Sequence, residues 1–258
     1  MAQSSVRALA LNYPQGGEIA SHSHPWDQLV YASRGVVTVE TEAGSWVVPP
    51  FRAVWVPSDR QHRLWAAGYL ALRTLYFSSG AAPALPRECC VFSIPPLLRE
   101  LILHLVSLPQ LDLEKAAHQR LVGVFFDLTE TLPQEPLSLP APKDERAKRL
   151  AKLLREQPGD QRTLKDLANA VGASSRTLER LFVAETGLTF QAWRRQIRLQ
   201  KALVLLADQT PVTEVSFAVG YDSPSAFISM FRRALGQTPG RYFSSPRSEA
   251  DSTRKEKG

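Results

Sequence analysis

The 258 residues are 44% hydrophobic and 22% charged, an ordinary globular composition with length for two domains that each bury a core, which argues against disorder. There is no apolar run of the roughly 18 residues a membrane span needs, and the start MAQSSVRALALNYPQGG lacks the succession of a secretory signal, so a soluble cytoplasmic protein with no membrane partner is expected. The formal charge of +6 is uneven, because residues 1–142 carry 10 basic and 12 acidic side chains while 143–243 carry 17 and 10, and that C-terminal excess can attract phosphate backbones or anionic membranes.

Between residues 30 and 77, runs rich in Val, Trp, Tyr and Thr alternate with Gly and Pro: VTVETE, SWVVPP, AVWVPS and YLALRTLYF. They predict strands separated by turns, and hence a small β-barrel. Polar residues gather near them at His22, His24, Gln28 and His62. Two histidines one residue apart on a strand point to the same side, so with His62 they can offer three nitrogens to a divalent metal. Alternatively, the same groups hydrogen-bond inside a ligand pocket that holds no metal; both readings stand at this point. Trp26, Tyr31, Trp46, Trp55 and Trp65 offer either the walls of a pocket for a planar effector or barrel core.

The stretch from Gly17 to Gln28, then Gly35, then Pro57 to His62, resembles the two motifs of cupin barrels, over residues 15–80. The resemblance implies metal-ligand positions at His22, His24 and His62. Gln28 stands where the cupin motif has a glutamate and supplies only a weak neutral oxygen, while Asp59 stands where it has a turn glycine. The effector site expected here comprises His22, His24, Trp26, Gln28 and His62, with a divalent metal as the candidate cofactor.

Cys89 and Cys90 are adjacent and cannot staple distant segments, so two reduced, inert thiols are expected. From residue 95 the spacing turns helical, with Leu97, Leu98, Leu101, Ile102 and Leu105 predicted on one face and a second helix over 113–132. This pair covers the barrel, forms a seam in a homodimer, or does both. The run LPQEPLSLPAP has four prolines beside polar and small residues, which places a linker at 133–142 between a sensing domain at 1–132 and a helical domain at 143–245. Residues 246–258 have too little apolar content to order themselves and are expected to form a flexible tail.

The helical half repeats itself. Ala170-Val171-Gly172 recurs 48 positions on as Ala218-Val219-Gly220, and Phe182 and Gly187 recur 49 positions on as Phe231 and Gly236. Each copy reads as a helix (164–171; 212–219), a glycine where positive φ is needed, a serine N-cap (Ser174; Ser223) and a second helix. Ala168 and Ala218 are the small residues expected to let the two helices cross closely. Helix, tight turn and helix at this spacing is the helix-turn-helix unit of DNA readers, and two copies in one basic domain are stronger than one. Residues 188–207 predict a joining helix of about 17 residues, roughly 25 Å long, with an apolar series Trp193, Ile197, Leu199, Leu203, Leu206 and a basic series Arg194, Arg195, Arg198, Lys201.

On these residues the segment 164–243 resembles the AraC/XylS family of transcription regulators, most specifically in AVGYDSPSAFISMFRRALGQTPGRY of the second copy. The resemblance implies a seven-helix domain that inserts both second helices into successive major grooves of promoter DNA. It assigns base reading to Ser175, Arg176, Glu179 and Arg180 in the first copy, and to Pro224, Ser225, Ile228 and Ser229 in the second. Arginine suits guanine because its fork donates to O6 and N7 together; contact with phosphate or a helix salt bridge is the alternative for Arg176 and Arg180. The second surface is short in hydrogen-bonding reach and is expected to position more than it reads.

The fold class expected is therefore a cupin-like barrel with a helical pair, followed by an all-α domain with two helix-turn-helix units. The function expected is a sequence-specific transcriptional regulator, activator or repressor, modulated by a small-molecule effector and engaging the transcription machinery. Against it stand a metal-dependent cupin enzyme fused to a DNA-binding domain, which the missing glutamate weakens, and a constitutive architectural protein, which leaves the barrel without a role. No nucleophile–base pair or phosphate-cradling loop points to other chemistry, so the expectation is a non-enzyme.

Overall fold

A computed structural model describes residues 6–81, 85–132, 134–135 and 138–243; the expected tail at 246–258 lies outside the described residues. Among the described residues the N-terminal half forms one nine-stranded sheet, all of its pairings antiparallel. Its strands are β1 (Val6–Tyr13), β2 (Glu18–His22), β3 (Trp26–Thr41), β4 (Gly44–Val48), β5 (Arg52–Val56), β6 (His62–Ser78), β7 (Cys90–Ser93), β8 (Gln134–Glu135) and β9 (Ser138–Pro140). The long β6 pairs with β1, β2 and β3, and β3 also pairs with β4 and β5, so the two longest strands carry the rest around them. The runs between 30 and 77 are strands as expected. The expected reading did not include β1 and β7, and β1 is largely solvent-facing, which weakens its hydrophobic signal; it also set His22 and His24 on one strand, whereas β2 ends at His22 and His24 lies beyond it, before β3.

Period-two alternation sorts the sheet into two faces. Leu29, Tyr31, Ala53, Trp55, Leu75 and Phe77 face helices α1 (Pro96–Ser107) and α2 (Ala116–Glu130), while Val30, Ala32, Val54, Val56 and Leu72 belong to a second cluster. Phe77 stacks on Phe125 of α2, with ring centroids 5.1 Å apart. Burying side chains of this size contributes about 1.5–3 kcal/mol each, so the helical pair is held on the sheet. Leu98, Leu101, Ile102 and Leu105 are buried as expected, but Leu97 is 64% exposed: it precedes that i, i+3, i+4, i+7 stripe by one residue and points about 100° away. Tyr31 and Trp55 lie under the helices and Trp46 in the other cluster, so these three aromatics are core.

Of the proline-rich segment, the described residues 134–135 and 138–140 are extended as expected, and they are also bonded to the sheet. Within it β8 pairs with β7, and β9 pairs with β4. Beyond it, seven helices are found among the described residues: α3 (Glu145–Glu156), α4 (Leu164–Ala170), α5 (Ser175–Thr186), α6 (Phe190–Ala207), α7 (Val212–Ala218), α8 (Pro224–Leu235) and α9 (Pro239–Phe243). The joining helix α6 has 18 residues, and its apolar series is divided. Trp193 and Ile197 close a core with α3, α4 and α5, whereas Leu199, Leu203 and Leu206 join a cluster continuous with the sheet.

Polar contacts pin that junction. Ser45 Oγ donates to Gln200 Oε1 and Gln200 Nε2 donates to the Ser45 carbonyl, both at 3.2 Å and both buried. Trp193 Nε1 donates to the Pro140 carbonyl at 2.9 Å. Gly68 of β6 has φ +68, and a Cβ there would lie 2.9 Å from the carbonyl oxygen of Ala207 at the end of α6, so sheet and helix approach too closely for a side chain.

Candidate functional site

Each helix-turn-helix unit is built by the same local chemistry. Gly172 and Gly220 have φ +71 and +80, and a Cβ on Gly220 would meet the Gly159 carbonyl oxygen at 2.7 Å. Ser174 then accepts from Thr177 N at 3.1 Å and Ser223 from Ala226 N at 3.2 Å, satisfying amides that α5 and α8 leave open. One expectation is corrected here. Ala168 is buried at the crossing of the first unit, but Ala218 is exposed and Ser216 takes the equivalent place, because it also lies four residues before its glycine; its hydroxyl donates to the Thr213 carbonyl at 2.7 Å.

On α5, Arg176, Glu179 and Arg180 are exposed and Ser175 is half-buried. Arg176, Glu179 and Arg180 have no hydrogen bond or ion pair among the described residues, so the helix salt bridge is not formed and the three chains are free to meet a ligand. On α8, Ser225 and Ser229 are exposed, while Pro224 and Ile228 are half-buried. Residues further along these helices escaped the sequence reading. Val183 on α5 and Arg232 and Arg233 on α8 are exposed, and the 49-residue repeat sets Val183 opposite Arg232. The repeat offset itself was the signal that could have found them.

The basic series of α6 is not one phosphate-facing row. Arg194 is only 8% exposed and donates to the Arg162 and Asp160 carbonyls, and Arg198 donates to the carbonyls of Pro158 and Asp160 at 3.2 and 2.9 Å. These guanidiniums latch the loop before α4, leaving Arg195 and Lys201 exposed. The Asp160 carboxyl is held below the usual carboxylate range by its hydrogen bonds from Arg162.

The histidines converge at the mouth of the sheet. His22 and His62 are register partners across β2 and β6, and His24 lies in the turn into β3, whose carbonyl accepts from Asp59 N at 2.9 Å. Asp59 has φ +61, the conformation of the glycine it stands in for. Ring centroids are 4.3, 5.1 and 5.7 Å apart, and the facing nitrogens lie within 4.8 Å of one another. All three Nδ1 atoms are committed to backbone: His22 to the Ala20 carbonyl at 2.8 Å, His24 to that of Trp26 at 2.8 Å, and His62 to that of Arg60 at 2.7 Å. With Nδ1 turned to a carbonyl in each ring, Nε2 is the nitrogen left to meet a ligand. His62 is 1% exposed, its Nε2 has no partner, and burial pushes its imidazolium down to about 4, so the neutral ring is the stable form.

Gln28 completes the group. Its Nε2 donates to Thr74 Oγ1 and Tyr76 Oη, both at 2.9 Å, and the Thr74 hydroxyl is itself committed to the Leu29 carbonyl. That network turns Gln28 Oε1 toward His24 Nε2, 3.2 Å away, a gap that a proton on the nitrogen or a cation between the two atoms bridges. Three imidazole nitrogens and one amide oxygen fit a late first-row divalent ion. Tyr76, which the sequence reading omitted, sets its ring edge-on to His24 at 5.2 Å. Trp26 gives the site its carbonyl, while its ring lies under the Arg7 guanidinium at 4.4 Å.

The sequence matches the AraC-like ligand binding domain over residues 5–185 and a helix-turn-helix domain over 167–245. It is 37% identical over 221 residues to the HTH-type transcriptional regulator NimR of Escherichia coli, covering 86% of this chain and 81% of that protein. It is 40% identical over 109 residues to the HTH-type transcriptional regulator RipA of Corynebacterium diphtheriae, covering 42% of this chain and 32% of that one. Among solved structures, ToxT of Vibrio cholerae overlaps 94% of this chain and 97% of its own at 10% identity with a TM-score of 0.39, a likeness that fixes no feature of the site.

Proposed function

Because this chain belongs to the AraC family of transcriptional regulators, with a ligand-binding domain ahead of its helix-turn-helix domain, we propose that α5 is its principal base-reading element. Arg176, Glu179 and Arg180, with Ser175, meet base edges in one major groove, while Ser225 and Ser229 of α8 let the second unit sit close in the next. The observation that carries this reading is the set of exposed charged side chains on α5 that no neighbour engages. In binding assays with DNA selected from a random pool, the full chain should prefer its selected site over competitor by about 10³-fold or more at physiological salt. Equal affinity for both would refute it.

We further propose that His22, His24, Gln28, Trp26 and His62 form the effector site, and that His22, His24 and His62 with Gln28 Oε1 hold a divalent ion there. Bound, the ion would supply Lewis acidity toward an effector donor atom; sensing rather than turnover is the role assigned, in the cytoplasm. The support is the buried, unpartnered His62 Nε2 beside two further imidazoles whose ligand atoms lie within 4.8 Å of it and of each other. Calorimetric titration of the full chain with Zn²⁺ and Ni²⁺ should give one equivalent bound, lost in His62→Ala. A wild-type chain that binds neither ion removes the metal, and an unchanged effector response of a reporter in a folded His22→Ala/His62→Ala variant removes the sensing site. Output passes to the transcription machinery, and a homodimer would pair two such chains on one promoter.

A further inference from the structure

Val183 is 50% exposed on α5 and belongs to none of the hydrophobic clusters. A valine left half in water on a helix that buries Leu178 and Phe182 and packs Leu181 against the same core adds nothing to that core. Its place is specific. Arg176, Glu179, Arg180 and Val183 fall at i, i+3, i+4 and i+7, one stripe along the helix, and this is the spacing by which a recognition helix presents its base-contacting side chains to a major groove. Exposed groups on that stripe are charged up to Arg180 and then become apolar at Val183, with Ala184 exposed beside it.

The major-groove edge of DNA carries one apolar group, the C5-methyl of thymine. We propose that Val183 is a specificity-determining residue that packs on a thymine methyl next to the base pair read by Arg180. Three residues advance the helix by about 4.5 Å against about 3.4 Å per base pair, so the thymine lies one or two pairs from that base. In the second unit the equivalent position is Arg232, exposed and with no side-chain hydrogen bond or ion pair among the described residues, which suits phosphate or an acceptor edge rather than a methyl. The two units thus differ in kind at this position.

The inference rests on α5 reading bases, and the test separates the two. A site selected by the full-length wild type is resynthesised with deoxyuridine at each thymine of the half-site that Arg180→Ala relaxes, which removes one methyl and no hydrogen bond. Affinities are measured by fluorescence anisotropy for wild type and Val183→Ala, whose exposed position leaves the fold unchanged in a melting control. One deoxyuridine position should weaken the wild type about fourfold, the ~0.8 kcal/mol of one buried hydrocarbon group. Val183→Ala should lose a similar factor on thymine DNA and be indifferent to that deoxyuridine. If Arg180→Ala relaxes a base pair yet every deoxyuridine is neutral, or if Val183→Ala keeps the full deoxyuridine penalty, the thymine contact is overturned with base reading intact. If no sequence is enriched at all, base reading by α5 falls, and the thymine contact with it.

Discussion

The two helix-turn-helix units share a backbone plan and differ in what lies beneath it and on it. The first closes a core distinct from the sheet's two clusters, with Leu150, Leu154, Leu167, Leu178, Phe182 and Trp193 buried among α3 to α6 and Leu139 of β9 joining them. The second does not: Val215, Val219, Phe227, Phe231 and Tyr242 belong to a cluster that continues into Val36, Trp46 and Leu64 of the sheet. Outside, α5 offers charged, unengaged side chains at Arg176, Glu179 and Arg180, where α8 offers Ser225, Ile228 and Ser229, its exposed arginines coming only further along at Arg232 and Arg233. The proposed reading chemistry therefore sits on the unit whose core is distinct from the sheet's clusters and is tied to the sheet by the Trp193–Pro140 hydrogen bond and the Arg155–Glu40 ion pair, while the unit with fewer such groups shares its apolar core with the sheet. A ligand-driven change in the sheet has a packed route to the second unit, and α6 joins that unit to the first.

The largest effects should come from the repeat-equivalent phenylalanines, both fully buried. Phe182→Ala and Phe231→Ala should each cost about 3–5 kcal/mol. Hydrogen exchange read by mass spectrometry should show Phe182→Ala loosening α3 to α5 while β3, β4 and β6 stay protected, and Phe231→Ala loosening strands and α8 together. Equal effects on the sheet would break the comparison.

A smaller loss is expected at the junction. Gly68→Ala imposes a side chain at positive φ, about 1–2 kcal/mol, and adds the close contact with the Ala207 carbonyl oxygen. Thermal unfolding should record the drop, with base preference in the first half-site retained. An unchanged midpoint would mean that sheet and α6 do not press together there.

The cysteines sharpen the contrast at low energetic cost. Burial pushes the Cys89 thiol up to about 11 and the Cys90 thiol up to about 12, so at pH 8 both are protonated and the reactive thiolate is scarce; reactivity should rise only as pH approaches those values. Alkylation by iodoacetamide at pH 8 should be slow in the native chain and fast in urea. Because Cys89 packs against the shared cluster, Phe231→Ala should accelerate its alkylation more than Phe182→Ala does.

Much of this was legible in the sequence because local chemistry governs it. Gly172, Gly220, Ser174 and Ser223 announce their turns and caps, and VTVETE or AVWVPS announce strands, since φ preference and period-two alternation act over a few residues. What could not be read depends on distant partners. Nothing in the string shows that Arg194 and Arg198 turn inward to the carbonyls of residues 158–162, or that Leu199 and Leu203 face a sheet rather than their own domain. The histidine motif gave the residues of the cluster, but the commitment of each Nδ1 to a carbonyl and the locking of Gln28 by Thr74 and Tyr76 are tertiary facts. Leu97 and Ala218 went astray for a simpler reason: each lies off the buried stripe of its helix.

The division of labour between the units is tested most directly by selecting sites from a random DNA pool with the full-length wild type, Arg180→Ala and Ser225→Ala/Ser229→Ala. The account predicts two half-sites about one helical turn apart, 10–10.5 base pairs, one of them far more restrictive. Arg180→Ala should relax one or two positions in that half-site at a cost of about 1–3 kcal/mol, and the serine variant should leave it intact. Two equally restrictive half-sites, or a restrictive one that answers to the serines and not to Arg180, would contradict it.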